Sequence, residues 1–249
     1  MTCNNTHDAA MQYAASDPAN TSLESGIFIT FEGGEGSGKS THSALLAQLI
    51  EEAGHTVLRL RDPGGTRIGE QLRGVVLDAK NAEMSDMCEL FIYEAARAQL
   101  VSEVIRPALD SGTVVVCDRF SDSTVAYQAY GRGIDVDVVQ QANTLACQGV
   151  TIDRTIIMSA PNARDGLKRA IARNGAPDRL EGAGSAFHDK VAAAFERMAH
   201  SDPQRIRTVI SRGSVEETFA QVVDAVSDLL PDVAEAFAHH REHVEKDAC

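Results

Sequence analysis

The sequence predicts an α/β fold, a five-stranded parallel sheet with helices on both faces. Two observations predict it. Short apolar or β-branched runs alternate with longer stretches of helical spacing, and 249 residues suffice to bury the core such an arrangement needs. A fold of this kind binds ligands in the crevice at the carboxyl ends of its strands.

The first strand is expected over Gly26–Glu32, GIFITFE. A glycine-rich turn follows, then a helix with Leu45, Leu46, Leu49 and Ile50 on one face. Further strands are expected at Thr56–Leu60, Thr113–Asp118, Asp153–Ser159 and Arg205–Ile210. Between the third and fourth lies a poorer helical face of Val139, Ala142, Asn143 and Ala146. Arg169–Glu181, arginine-rich and broken by Asn-Gly and Pro, ends a helix and opens a mobile lid at about residues 172–184. Residues 1–25 hold three acids, no Lys or Arg, and many Asn, Ser, Thr and Ala, and they read as a disordered tail. Residues 232–249 read as a C-terminal tail or a fraying helix, which leaves a domain over 26–231.

Composition narrows the function. A net charge of −13 argues against broad binding to nucleic acid or to anionic membrane. No apolar run is long enough for a bilayer and no basic–apolar leader is visible, so a cytoplasmic location is expected. Cys3, Cys88, Cys117, Cys147 and Cys249 are widely spaced, which suits reduced thiols better than disulfides or a metal site. Only five of the 23 basic residues are lysine, and the 18 arginines suit bidentate contact with phosphate.

Gly33-Gly34-Glu35-Gly36-Ser37-Gly38-Lys39-Ser40 fits G-x-x-x-x-G-K-[ST] at every fixed position, between a strand and a helix. There, glycines let backbone N–H groups curl around phosphate oxygens at a helix N-terminus. Lys39 would reach the β- and γ-phosphates of ATP and the Ser40 hydroxyl would ligate Mg²⁺, which makes the fold that of a P-loop NTPase. Asp118-Arg119 ends the apolar strand VVVC, offering Asp118 to Mg²⁺ and Arg119 to a second phosphate. Arg61-Asp62-Pro63-Gly64-Gly65-Thr66 sets another arginine in a glycine-rich loop. A P-loop alone does not separate kinases from GTPases and motor ATPases.

From about Gly26 to Leu230 the chain resembles bacterial thymidylate kinases. The matching pieces are F-E-G-x-E-G-x-G-K-S at 31–40, R-D-P-G-G-T at 61–66, L-R-x-x-x-L-D at 72–78 and A-A-R-A-Q at 95–99. D-R-F-x-x-S-T-x-A-Y-Q at 118–128, G-R-G-I at 131–134 and D-R-L-E at 178–181 complete them, in order. The resemblance implies transfer of the ATP γ-phosphate to dTMP, giving dTDP, in a homodimer. It implies that Tyr93, where the family usually has Phe, stacks on thymine and that Arg97 donates to a base carbonyl. It gives Thr124 and Gln128 the base edge, Tyr127 the deoxyribose side that disfavours a 2′-hydroxyl, and Glu35 the 3′-hydroxyl. Arg61, Arg73 and Arg119 would hold the acceptor's phosphate. One branch of the family caps the transferred phosphoryl group with a P-loop arginine; with none at the variable P-loop positions, the chain resembles the other branch, which places basic residues in the lid. Arg173 is the first candidate there, with Arg169 and Arg179 behind it at the ATP site. The family's usual Asp-Ala after the last strand is replaced by Ile210-Ser211-Arg212-Gly213, where Arg212 or the backbone would hold adenine.

A phosphate monoester is mostly dianionic at neutral pH, so this reaction needs no general base. The obstacle is repulsion between two polyanions, which Mg²⁺, Lys39 and the arginines would offset under a closing lid. A kinase for another pyrimidine nucleotide or for a deoxynucleoside is the nearest rival. The deoxynucleoside reaction needs a base for the 5′-hydroxyl, and Glu32 is the candidate. A GTP-binding switch would carry N-K-x-D, which the sequence lacks. A relic without turnover would be expected to have lost Lys39, Asp118 or the acceptor arginines.

Overall fold

The computed structural model describes residues 23, 25–160, 166, 168, 172 and 177–247. Its strands are β1 (Phe28–Glu32), β2 (Val57–Arg61), β3 (Val114–Asp118), β4 (Arg154–Ser159) and β5 (Ile206–Ile210). They form one all-parallel sheet in the order β2-β3-β1-β4-β5. Every strand forms where the apolar runs predict it.

Helices cover the sheet: α1 (Lys39–Glu52), α2 (Arg67–Leu77), α3 (Asp86–Leu100), α4 (Arg106–Asp110), α5 (Ser121–Thr124) and α6 (Val136–Cys147). Later in the chain come α7 (Ser185–Ser201), α8 (Val215–Asp224) and α9 (Pro231–Asp247). Two π-helical segments, Val101–Ile105 and Val125–Gly131, continue α3 and α5. β1 is buried at all five positions, as a parallel strand between two helical layers must be. Its Ile29 and Phe31 pack with Leu46 and Ile50 of α1 and Val222 of α8. Its Phe28 packs with Leu100, Ile105 and Phe120. A third cluster joins Tyr93 of α3, Tyr127, Leu180 and Phe187 of α7.

The sheet order positions the site. β1 lies between β3 and β4; the connection from β1 runs to β2 on one side and that from β3 runs to β4 on the other, which opens a crevice beyond the carboxyl ends of β1 and β3. Register pairs Phe31 with Asp118 and Asp118 with Arg61, so three strand ends are level there.

Of the two readings for residues 232–249, a tail or a fraying helix, packing selects the helix, which runs through Asp247. Val233 of this helix is fully buried in the α1 core cluster, and Asp232 binds buried His55 at 2.5 Å. Among the described residues, no helix is long and apolar enough to cross a membrane.

Candidate active site

A cavity of about 330 Å³ occupies the crevice and holds both halves of the predicted site. Its floor is the loop from β1 to α1. Gly33 has φ of 122°, and a Cβ there would lie 2.3 Å from the Met158 carbonyl, so a side chain would break the turn. Gly38, with φ of 98°, is the N-cap of α1 and supplies no side-chain cap, which leaves the first-turn N–H groups to a ligand.

Lys39 is buried and folds back on its own loop, donating to the carbonyls of Gly33 at 3.1 Å and Gly34 at 2.7 Å. Burial, with Arg119 nearby, lowers its pKa to about 8 against the pull of Glu35 and Asp118. Ser40 Oγ donates to Asp118 Oδ2 at 2.6 Å, and both residues line the cavity. Two hard oxygens side by side beneath a phosphate loop fit a magnesium ion.

Arg119 joins this loop to the opposite wall. Its Nη1 donates to Gly33 O and Ser123 Oγ, both at 3.1 Å, and its Nη2 to Glu35 Oε1 at 2.6 Å. The guanidinium lies 5.0 Å from the Tyr127 ring centroid. Its backbone holds φ at 69°, a left-handed conformation that costs an arginine energy. Tyr127 Oη also donates to Glu35, at 3.1 Å. Burial would raise the Glu35 pKa, but Arg119 and Lys39 outweigh it and bring it to about 2.

The acceptor wall comes from α3 and the segment after β3. Tyr93, Arg97, Thr124, Tyr127 and Gln128 all line the cavity with Arg61 and Arg73. Tyr93 is buried, and its hydroxyl has no partner among the described residues. Arg61 is exposed and paired with Glu70 at 2.7 Å, and Arg73 donates to Pro63 O at 2.9 Å.

Arg97 corrects the sequence reading. Its Nε donates to Asp62 at 2.8 Å, its Nη1 to Glu94 at 2.8 Å and Asn143 at 2.6 Å, and its Nη2 to Thr124 at 2.8 Å and Phe120 O at 3.3 Å. A guanidinium has five N–H donors, so none is left for a base carbonyl. Arg97 is a buried strut beneath the acceptor wall. Arg179, expected beside ATP, instead donates to Val76 O at 2.9 Å and pairs with Glu89 of α3. Arg169 and Arg173 lie outside the described residues.

Sequence reasoning missed the supports. Glu32 is fully buried and accepts from Phe120 N at 2.8 Å, Ser123 N at 3.1 Å and Ser123 Oγ at 2.5 Å. It does not line the cavity; it holds the start of α5. The carboxylate a deoxynucleoside kinase would need is thus committed to the fold. Burial and neighbouring Asp122 raise its pKa to about 7, against Arg119. An unfolded Glu titrates near 4.3, so Glu32 favours folding most below that pH, and this contribution is lost as pH rises through about 7. Glu32→Gln cannot ionise. Between pH 5 and pH 8 its unfolding free energy should therefore gain roughly 2–3 kcal/mol relative to wild type. Urea melts at both pH values measure this, and a pH-independent difference would mean that Glu32 stays ionised throughout.

The comparisons with known proteins agree with this geometry. The family model described as thymidylate kinase matches residues 31–222. A thymidylate kinase of Gloeobacter violaceus is 46% identical over 205 residues, covering 82% of this chain and 96% of that protein. One from Solidesulfovibrio magneticus is 45% identical over 210 residues, 82% of this chain and 100% of its own. The crystal structure of thymidylate kinase from Ehrlichia chaffeensis superposes with a TM-score of 0.66 at 31% identity, covering 81% of this chain and 99% of that one. With one cavity holding a phosphate loop and an aromatic-lined acceptor wall, and with such likeness along nearly the whole length of its relatives, the chain belongs to the thymidylate kinase family.

Proposed function

We propose that the phosphate-loop end of the cavity binds ATP, the α3 wall binds dTMP, and Arg119 steadies both at the point of transfer. The reaction is phosphorylation of dTMP to dTDP with ATP as co-substrate. The observation that carries the site assignment is Arg119, bonded at once to the phosphate loop through the Gly33 carbonyl and the Glu35 carboxylate and to Ser123 after β3, with its guanidinium over Tyr127 of the acceptor wall.

In this reading Lys39 exchanges its loop carbonyls for the donor's phosphate oxygens, and Gly33 to Gly38 supply N–H groups around them. Ser40 and Asp118 would hold magnesium, which would offset charge on the β- and γ-phosphates. Arg61, Arg73 and Arg119 receive the dTMP phosphate, Tyr93 stacks on thymine, and Thr124 and Gln128 lie at the base edge. Glu35 faces the 3′-hydroxyl with Tyr127 beside the sugar. Arg173, supported by Arg169, caps the phosphoryl group from a lid over residues 172–184 of the domain 26–231.

Met87 and Phe91 of α3 and Val138 and Leu145 of α6 stay exposed, Leu145 by 79%, on two helices that pack together. Apolar surface of this kind supports a homodimer formed through that side. The net charge supports an enzyme without nucleic-acid or membrane partners, and a cytoplasmic location belongs to the same reading.

A coupled ADP-release assay with ATP and a panel of nucleoside monophosphates tests the acceptor assignments. dTMP should lead, and thymidine should be turned over at least about 10³-fold less efficiently, for want of a base to take its 5′-proton. Preference for a purine acceptor, or equal use of thymidine, would overturn the reading.

A further inference from the structure

We propose that Glu89, which touches no substrate, sets the acceptor's base specificity by fixing which end of the Gln128 amide faces the cavity. The inference rests on the acceptor reading above. Glu89 lies in the first turn of α3 and is fully buried. A carboxylate there is tolerated only if it is paired, and three side chains pair it. Arg132 donates through Nε at 3.1 Å and Nη2 at 2.8 Å, Arg179 forms an ion pair, and Gln128 Nε2 donates at 2.7 Å.

These contacts determine the amide's direction. Burial would raise the Glu89 pKa, but Arg132, Gln128 and Arg179 lower it, so the group is an ionised carboxylate that can only accept. Only the NH₂ end of Gln128 can face such a group, because the carbonyl end would set oxygen against oxygen. Gln128 lines the cavity, and its Oε1 has no partner among the described residues. A bare carbonyl oxygen in the acceptor wall accepts an N–H. Thymine and uracil carry one at N3; cytosine has a lone pair there. The arrangement therefore favours bases with an N3 proton and repels cytosine, and Glu89 is the positioning residue that holds it so.

The same carboxylate anchors Arg179 and Arg132, the latter stacking 4.7 Å over Phe187. Its charge thus balances two guanidiniums as well as orienting the amide.

The test is Glu89→Gln, assayed with dTMP and dCMP as acceptors. The new amide can donate to Gln128 Oε1, letting the Gln128 amide turn and offer its NH₂ group to the base. The dTMP-over-dCMP ratio of kcat/KM should fall about 30-fold or more, chiefly through the acceptor KM, with the KM for ATP within about threefold of wild type. Glu89→Asp is the second variant. It keeps the charge for both arginines but withdraws the carboxylate by one methylene, and its ratio should fall about tenfold.

A ratio unchanged in folded variants overturns the proposal. So does a loss shared equally by dTMP, dCMP and the KM for ATP, or failure of both variants to fold, since either outcome assigns Glu89 to structure alone. A wild-type enzyme that does not prefer dTMP would instead overturn the acceptor reading beneath it.

Discussion

Lys39→Met is expected to lower kcat by about 10³-fold or more while leaving dTMP affinity within about threefold of wild type. Methionine keeps the length and most of the volume of lysine and removes only the charge. Lys39 makes its hydrogen bonds to Gly33 and Gly34 within the loop and none to the acceptor wall. A pKa of about 8 leaves it mostly cationic at neutral pH, and a bound polyanion would hold the proton more firmly. The lost interaction is then with charge on the transferring phosphoryl group, which appears in kcat and not in acceptor binding. Stability should not suffer, because the substitution removes a charge whose burial is costly. Steady-state kinetics, dTMP titration calorimetry and a thermal melt check the three parts. A kcat within tenfold of wild type would remove Lys39 from the chemistry.

What the sequence disclosed followed from locality. A buried parallel strand is an unbroken apolar run, and GIFITFE and VVVC announce themselves without knowledge of their neighbours. The phosphate loop is likewise contiguous, so its geometry was legible from eight residues. The support structure is assembled from afar. Arg97 draws on Asp62, Glu94, Phe120, Thr124 and Asn143, and no local pattern distinguishes an arginine aimed at a base from one aimed at those acceptors. Asn143 even hid its role by spoiling the apolar face of α6. Glu89 looked like an ordinary acid in the first turn of a helix, where the dipole welcomes one. In sequence the stretch after Pro231 reads as either a tail or a fraying helix. Val233 is fully buried in the core, Ala234, Ala236 and Phe237 pack against it, and Asp232 finds a histidine distant in sequence.

Arg119→Ala is expected to lower kcat/KM for dTMP by about 10³-fold or more and to raise the KM for ATP far less. The side chain bonds Gly33 O, Ser123 and Glu35 and covers Tyr127, so its removal disconnects the acceptor wall from the phosphate loop. It also leaves Glu35 largely buried and without its strongest cationic neighbour, since Arg119 is the first of the groups holding the Glu35 pKa down to about 2. Breaking such a pair should cost roughly 2–3 kcal/mol of stability.

Two companions separate the causes. Arg119→Gly loses the same side chain but accepts φ of 69° without strain, so it should be more stable than Arg119→Ala by about 1 kcal/mol and equally inactive. Arg119→Ala combined with Glu35→Gln removes the orphaned charge and should recover stability without recovering kcat/KM. If the double variant regained activity along with stability, Arg119 would be serving the fold through Glu35, and its place between donor and acceptor would have to be given up.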